Sequence, residues 1–261
     1  MNVGFFGPPE AQRFYAHHVP SVSLARPRAV LLCNPGPQEF RQAHFALRTL
    51  ADRLAERGAH VLRFDYVGTG DSAGASDVGS LDGWADDVHD AVDELRARAG
   101  VSRVSVVGLR LGAAVAARAA ARGTRIHELV LWDPVIRGAR YLAELDALQE
   151  RIRLDLAYPI SDIVDSETLL GHRMSVTQRA ELEALDLRHE PRGAISRVTI
   201  FTAAPDDDAA AMREVYRLDG VTTDIQVLPD ASLAHPVWHE DTLLARAIPA
   251  AILARLLGDT P

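Results

Sequence analysis

Apolar residues in the first half of the chain follow two alternating rhythms. Short, nearly continuous runs at 28–35 (RAVLLCNP), 60–66 (HVLRFDY), 103–107 (RVSVV) and 127–134 (HELVLWDP) have the length and β-branched content of buried strands. Between them, Phe45, Leu47, Leu50 and Leu54 recur at helical spacing within 44–58, which stops at Gly58. Residues 81–100 form an amphipathic segment with acidic residues early and Arg96 and Arg98 late, as a helix dipole favours, and 111–121 is rich in alanine. Strands separated by helices of this length predict βαβ units and a mostly parallel sheet. From 137 the rhythm changes: RYLAELDALQERIRL and SVTQRAELEALDL read as helices with no strand between them, which predicts a helical insertion over 137–192. Strand patterns return at 197–203 and 223–229, and 243–257 closes the chain as a helix in which Pro249 marks a kink or the first turn.

The stretch VVGLRLGAAVAARAA at 106–120 carries the chemical question. A strand, a Gly-x-Arg-x-Gly turn and a helix occur where one large enzyme class has Gly-x-Ser-x-Gly with a nucleophilic serine. Arg110 holds the serine's place. A guanidinium stays protonated in proteins, so Arg110 can be neither nucleophile nor general base. Beside the N–H groups of a helix N-terminus it makes an anion site for a carboxylate, a phosphate or a developing oxyanion. The opposing reading is an internal ion pair that plugs the pocket.

These segments together resemble the α/β-hydrolase superfamily over nearly the whole chain: CNPGPQEF after one strand, FDYVGTGDSAG after the next, the Gly108–Gly112 elbow, an aspartate after the following strand, an insertion and a late histidine. More narrowly, the chain is similar to serine aminopeptidase-like and exosortase-associated hydrolases, many of which carry GLRLG at the elbow. The resemblance implies an α/β fold with a mostly parallel central sheet flanked by helices, in a single domain (1–261) with a helical cap. Its strand order puts Asp133 within reach of Arg110, as the partner expected for an ion pair. It places NPGPQEF at the oxyanion loop, where Pro35 and Pro37 remove two donors; Gly36 and Gln38 remain as contributors, and Gln38 and Glu39 as substrate contacts. The acid is expected among Asp206, Asp207 and Asp208, with Asp207 adopted and Asp133 the alternative. The histidine is expected at His235, with His239 second. Leu111, Tyr141 and His239 complete the expected substrate contacts, and Leu145, Leu148, Tyr158, Ile160 and Ile163 give the insertion its apolar surface.

Two further features read as structural. Cys33 is a candidate substitute nucleophile, but a lone cysteine at a strand end is more often a small buried hydrophobe. The GTGDS turn at 68–72 lacks the lysine of a phosphate loop and the glycine spacing of a dinucleotide fingerprint, so Asp65 and Asp71 are expected to tie down backbone amides there.

Composition narrows the setting. The net charge of -8 gives no electrostatic footprint for nucleic acid or an anionic membrane. All 28 basic residues are arginine, which excludes Schiff-base lysine chemistry. One cysteine and the absence of a signal-like start or an apolar span predict a cytoplasmic protein. No metal-ligand spacing links the histidines, and no cofactor is expected. The expected function is non-covalent acid–base chemistry (hydrolysis, elimination or cyclisation) on a small-molecule or carrier-bound acyl, ester or thioester intermediate of bacterial specialised metabolism. Arg110 would hold the anion and His235 with an aspartate would move protons. A homodimer is compatible with it. The alternatives are an inactive pseudo-hydrolase that binds a partner, and a hydrolase using Cys33 or an aspartate.

Overall fold

The computed structural model describes residues 1–155, 167–193, 195–229 and 247–258. Eight strands form the central sheet: β1 (Asn2–Phe6), β2 (Arg13–His18), β3 (Arg28–Cys33), β4 (Ala59–Phe64), β5 (Ser105–Leu109), β6 (Glu128–Trp132), β9 (Arg197–Thr202) and β10 (Thr222–Val227). A short hairpin, β7 (Thr168–Leu169) and β8 (His172–Arg173), stands apart from it. The helices are α1 (Pro37–Glu56), α2 (Leu81–Ala99), α3 (Leu111–Ala121), α4 (Gly138–Asp155), α5 (Val176–Ala184), α6 (Asp207–Leu218) and α7 (Ala247–Leu257). The sheet order is β1-β2-β4-β3-β5-β6-β9-β10. The pairs from β4 through β10 are parallel, whereas β2 is antiparallel to both β1 and β4.

The expected parallel βαβ core is therefore present, and helices cover both of its faces. Alternate residues of one strand feed opposite layers: Leu31 and Cys33 pack with α2 and α3, while Val30 and Leu32 pack with α1 and α7. Three features depart from the sequence pattern. The β1–β2 hairpin was not foreseen, because its turn at Gly7–Pro8 joins strands of mixed polarity such as RFYAHH. Between α4 and α5, where only helices were expected, lies the β7–β8 hairpin. Helix α1 begins at Pro37 instead of 44; proline suits this first position because it has no N–H to leave unbonded. Within the described part of α7, Pro249 lies in the first turn.

The GTGDS turn is structural, as expected, with Asp65 as its anchor. The Asp65 carboxylate accepts from the Asp71 N–H (3.0 Å) and from Asn34 Nδ2 (3.1 Å), and burial pushes its pKa up to about 6. Among the described residues no helix is long and apolar enough to cross a membrane.

The elbow depends on two glycines. A Cβ on Gly108 would lie 2.4 Å from the Ala113 Cα, and one on Gly112 would lie 2.2 Å from the Asn34 carbonyl oxygen and 2.6 Å from that of Cys33. Helix α3 thus rests directly on the backbone at the end of β3. Gly112→Ala is expected to cost about 3 kcal/mol through overpacking, lowering Tm by about 6–12 °C at this chain length. A thermal melt checks this, and an unchanged Tm would contradict the close approach.

Candidate functional site: the arginine elbow and its cleft

At the end of β5 the chain turns through Arg110, whose φ of 52° and ψ of -118° put a non-glycine residue in a sparsely populated conformation. Neighbouring backbone pins it there. The Arg110 N–H donates to the Trp132 carbonyl (3.0 Å), and the Arg110 carbonyl accepts from Ala113 (3.0 Å) and Val135 (3.2 Å). The side chain is lifted over the strand ends at the N-terminus of α3, as the elbow pattern predicts.

The guanidinium is met by carboxylates. Arg110 Nε donates to Glu39 Oε1 at 2.9 Å, and an Arg110 terminal nitrogen donates to Glu144 Oε2 at 3.1 Å. The Tyr141 hydroxyl donates to the other oxygen of Glu39 at 2.9 Å, and the Arg110 guanidinium carbon lies 5.4 Å from the Tyr141 ring centroid. Glu39 and Arg110 are both buried, whereas the Glu144 side chain is 43% exposed. Burial works against the Arg110 charge, but Glu39, Tyr141 and Asp133 together outweigh it and hold the guanidinium above its ordinary pKa. Burial, reinforced by the Glu39 anion, pushes the Tyr141 phenol well up, so Tyr141 is a neutral donor.

The expected partner is corrected here. Arg110 pairs with Glu39 and Glu144; Asp133 acts on it through its field. Glu39 reaches the elbow because it occupies the third position of α1, one residue after Gln38 and close to the Gly36 cap. Asp133 has a positive φ of 45° and donates its N–H to the Phe201 carbonyl at 2.7 Å.

A cleft of about 290 Å³ opens beside this cluster, lined by Arg110, Asp133, Tyr141 and Glu144, and further out by Arg140, Asp206 and Asp208. Gly36 is not on the cleft wall but packs tightly behind it: a Cβ there would lie 3.0 Å from a Leu111 methyl and 3.3 Å from the Tyr141 hydroxyl. Gln38 and Leu111 line a separate small cavity of about 20 Å³ under α5, with Trp84 and Met174. Asp207, adopted as the acid, is exposed in the first turn of α6 and outside the cleft wall. Its neighbours face inward: Asp206 caps α6 through the Ala209 N–H (2.9 Å) and meets Arg140 (3.1 Å), while Asp208 meets Arg188 (3.0 Å). His235, His239, Tyr158, Ile160 and Ile163 lie outside the described residues. Leu145 and Leu148 are buried, Leu145 in the main core.

Sequence reasoning missed Glu144 and Arg140. The signal was present: Tyr141 and Glu144 stand three residues apart on one helix, so they share a face, and Arg140 and Glu144 are an i, i+4 pair (3.3 Å).

Residues 25–187 match the model of the family described as serine aminopeptidase, S33. The structure resembles that of Est1E from Butyrivibrio proteoclasticus, solved with ferulic acid, with a TM-score of 0.67 at 16% identity over 97% of this chain and 98% of that one. It also resembles an α/β serine hydrolase without lid from Xanthomonas campestris (TM-score 0.59, 18% identity, 100% and 96% covered). A third likeness is to a proline iminopeptidase from Mycobacterium smegmatis (TM-score 0.57, 14% identity, 98% and 97% covered). At these identities the likeness shows the fold. No curated protein matches the chain.

Cys33 is fully buried and burial pushes its thiol up to about 12, so it is not a thiolate near neutral pH. It is expected to resist a water-soluble disulfide reagent at pH 8 in the native protein and to react fully once unfolded. Rapid native labelling would contradict the burial.

Proposed function

The chain belongs to the serine aminopeptidase S33 family, and on that footing we propose that it is an α/β-hydrolase-fold enzyme that works without a serine nucleophile and forms no acyl-enzyme. Its substrate is an acyl, ester or thioester intermediate, small or carrier-bound, of bacterial specialised metabolism, handled in the cytoplasm. The exosortase-associated subgroup with arginine at the elbow is the narrower kinship that fits GLRLG. The observation that carries this reading is the open cleft against Arg110: a side chain serving only as a plug would leave no room beside it.

In this mechanism the Arg110 charge and the N-terminus of α3 stabilise negative charge developing on the substrate. Asp133, at the strand end beside the elbow, is the aspartate assigned to His235, a residue outside the described part of the structure, and His235 would transfer the proton to or from the substrate or water. Asp207, exposed in the first turn of α6 and off the cleft wall, is given no role in this reading. Tyr141 and Glu39 hold the guanidinium in place. Est1E, of like fold, was solved with ferulic acid, a carboxylic acid and so the free-acid form of an acyl group. A second reading, an inactive binding protein, is favoured by one observation: two carboxylates already meet the Arg110 guanidinium.

Intact-protein mass spectrometry with activated esters and acyl thioesters tests this reading. The wild type is expected to release product from at least one compound without gaining mass. Arg110→Ser, checked for folding by circular dichroism, is expected to gain one acyl group. A wild-type adduct, lost in Cys33→Ala or not, would overturn the proposal, and absence of product from every compound would favour the binding protein.

A further inference from the structure

The two carboxylates on Arg110 are not equivalent. Glu39 is buried, shared with Tyr141 and fixed in the first turn of α1. Glu144 stands on the cleft wall, its side chain 43% exposed, and its carboxylate bridges two cations: Oε2 to Arg110 at 3.1 Å and Oε1 to Arg140 at 3.3 Å. The half-exposed pair adds little stability, because solvent screens it and a long side chain must be held in one rotamer. Losing Glu144 from the cluster would leave Arg110 still paired with Glu39, and Arg140 still paired with Asp206. The cluster thus contains one carboxylate that can leave without stranding a buried charge.

We propose that Glu144 holds the place of a ligand carboxylate: an organic acid, or a substrate bearing a free carboxyl group, binds in the cleft by displacing Glu144 from Arg110 and Arg140. This rests on the reading that the cleft beside Arg110 is the substrate site, and adds the chemical class of the group recognised there. The position already holds one carboxylate between two guanidinium groups, hydrogen-bonded to Arg110 (3.1 Å) and in ion-pair contact with Arg140 (3.3 Å). A ligand carboxylate would make the same contacts, with its organic body directed into a cleft of about 290 Å³. Because Glu144 is tethered through its own helix, it competes intramolecularly and lowers the apparent affinity for the free acid. A neutral isostere gains nothing from two cations. The pocket therefore selects acids, and Glu144 sets how weakly they bind when the site is idle.

Benzoate and benzamide serve as the charged and neutral probes, titrated by NMR into wild type, Glu144→Ala and Arg140→Met while the amides of Ala203, Ala204 and Val135 on the cleft wall are followed. Benzoate is expected to bind Glu144→Ala about tenfold more tightly than wild type, as when a competitor filling nine-tenths of the sites is removed, and Arg140→Met more weakly. Benzamide is expected to be indifferent to both changes. Equal or weaker benzoate binding in Glu144→Ala would overturn the proposal, as would cleft binding of benzamide with no preference for benzoate. The latter result would leave the cleft as a ligand site, whereas failure of both probes to shift the cleft amides would overturn this proposal and count against the cleft reading as well. A lower Tm of Glu144→Ala with unchanged benzoate binding would make the pair a cap tether alone and equally overturn the proposal.

Discussion

A guanidinium that cannot shed its proton, lifted by a strained turn into a buried position, must be met by a carboxylate in the same buried place. In this chain that constraint ties three parts of the fold together. Arg110 comes from the β5–α3 elbow, Glu39 from the first turn of α1, and Tyr141 and Glu144 from α4. The central sheet, α1 and α4 therefore meet at one cluster around the Arg110 guanidinium. A serine in the same turn would make no such demand, since a hydroxyl can be satisfied by one neighbour or by water.

The elbow backbone is retained although its side chain has changed. Gly108 and Gly112 let α3 lie on the ends of β3 and β5, and Arg110 keeps a positive φ. The strain of that turn is sustained by three backbone hydrogen bonds around Arg110 and by packing of the buried alanines of α3. What has altered is the electrostatics. Carboxylates and guanidinium groups alternate outward from Glu39 through Arg110, Glu144 and Arg140 to Asp206, so the cleft presents paired charges at every depth. Such a wall favours a ligand that can exchange with one member of the series over a ligand attracted by an unbalanced field.

The parallel core was legible because periodicity, glycine stops and the elbow motif all agreed, and α3 came out at the expected 111–121. The β1–β2 hairpin was hidden by buried polar residues such as Arg13, His17 and His18, which break the apolar pattern that marks a strand. The correct partner of Arg110 was missed for a reason of helical phase. Starting α1 at 44 left Glu39 in a loop, whereas starting at Pro37 makes it the third helical residue, next to the elbow. Asp133 was favoured because strand order alone puts its Cα near Arg110; strand order does not say which neighbouring element supplies the closer side chain. The acid run at 206–208 shows the same limit: three consecutive aspartates at a helix start point in different directions, and spacing from the strand cannot choose among them.

Arg110 and Glu39 form one buried unit, and a double-mutant cycle on global stability measures this most directly. Glu39→Leu alone should cost about 3–5 kcal/mol by leaving Arg110 buried without its main partner, while Arg110→Met with Glu39→Leu should recover most of that loss because no buried charge remains. Additive losses from the two changes, with no recovery in the double variant, would contradict the account.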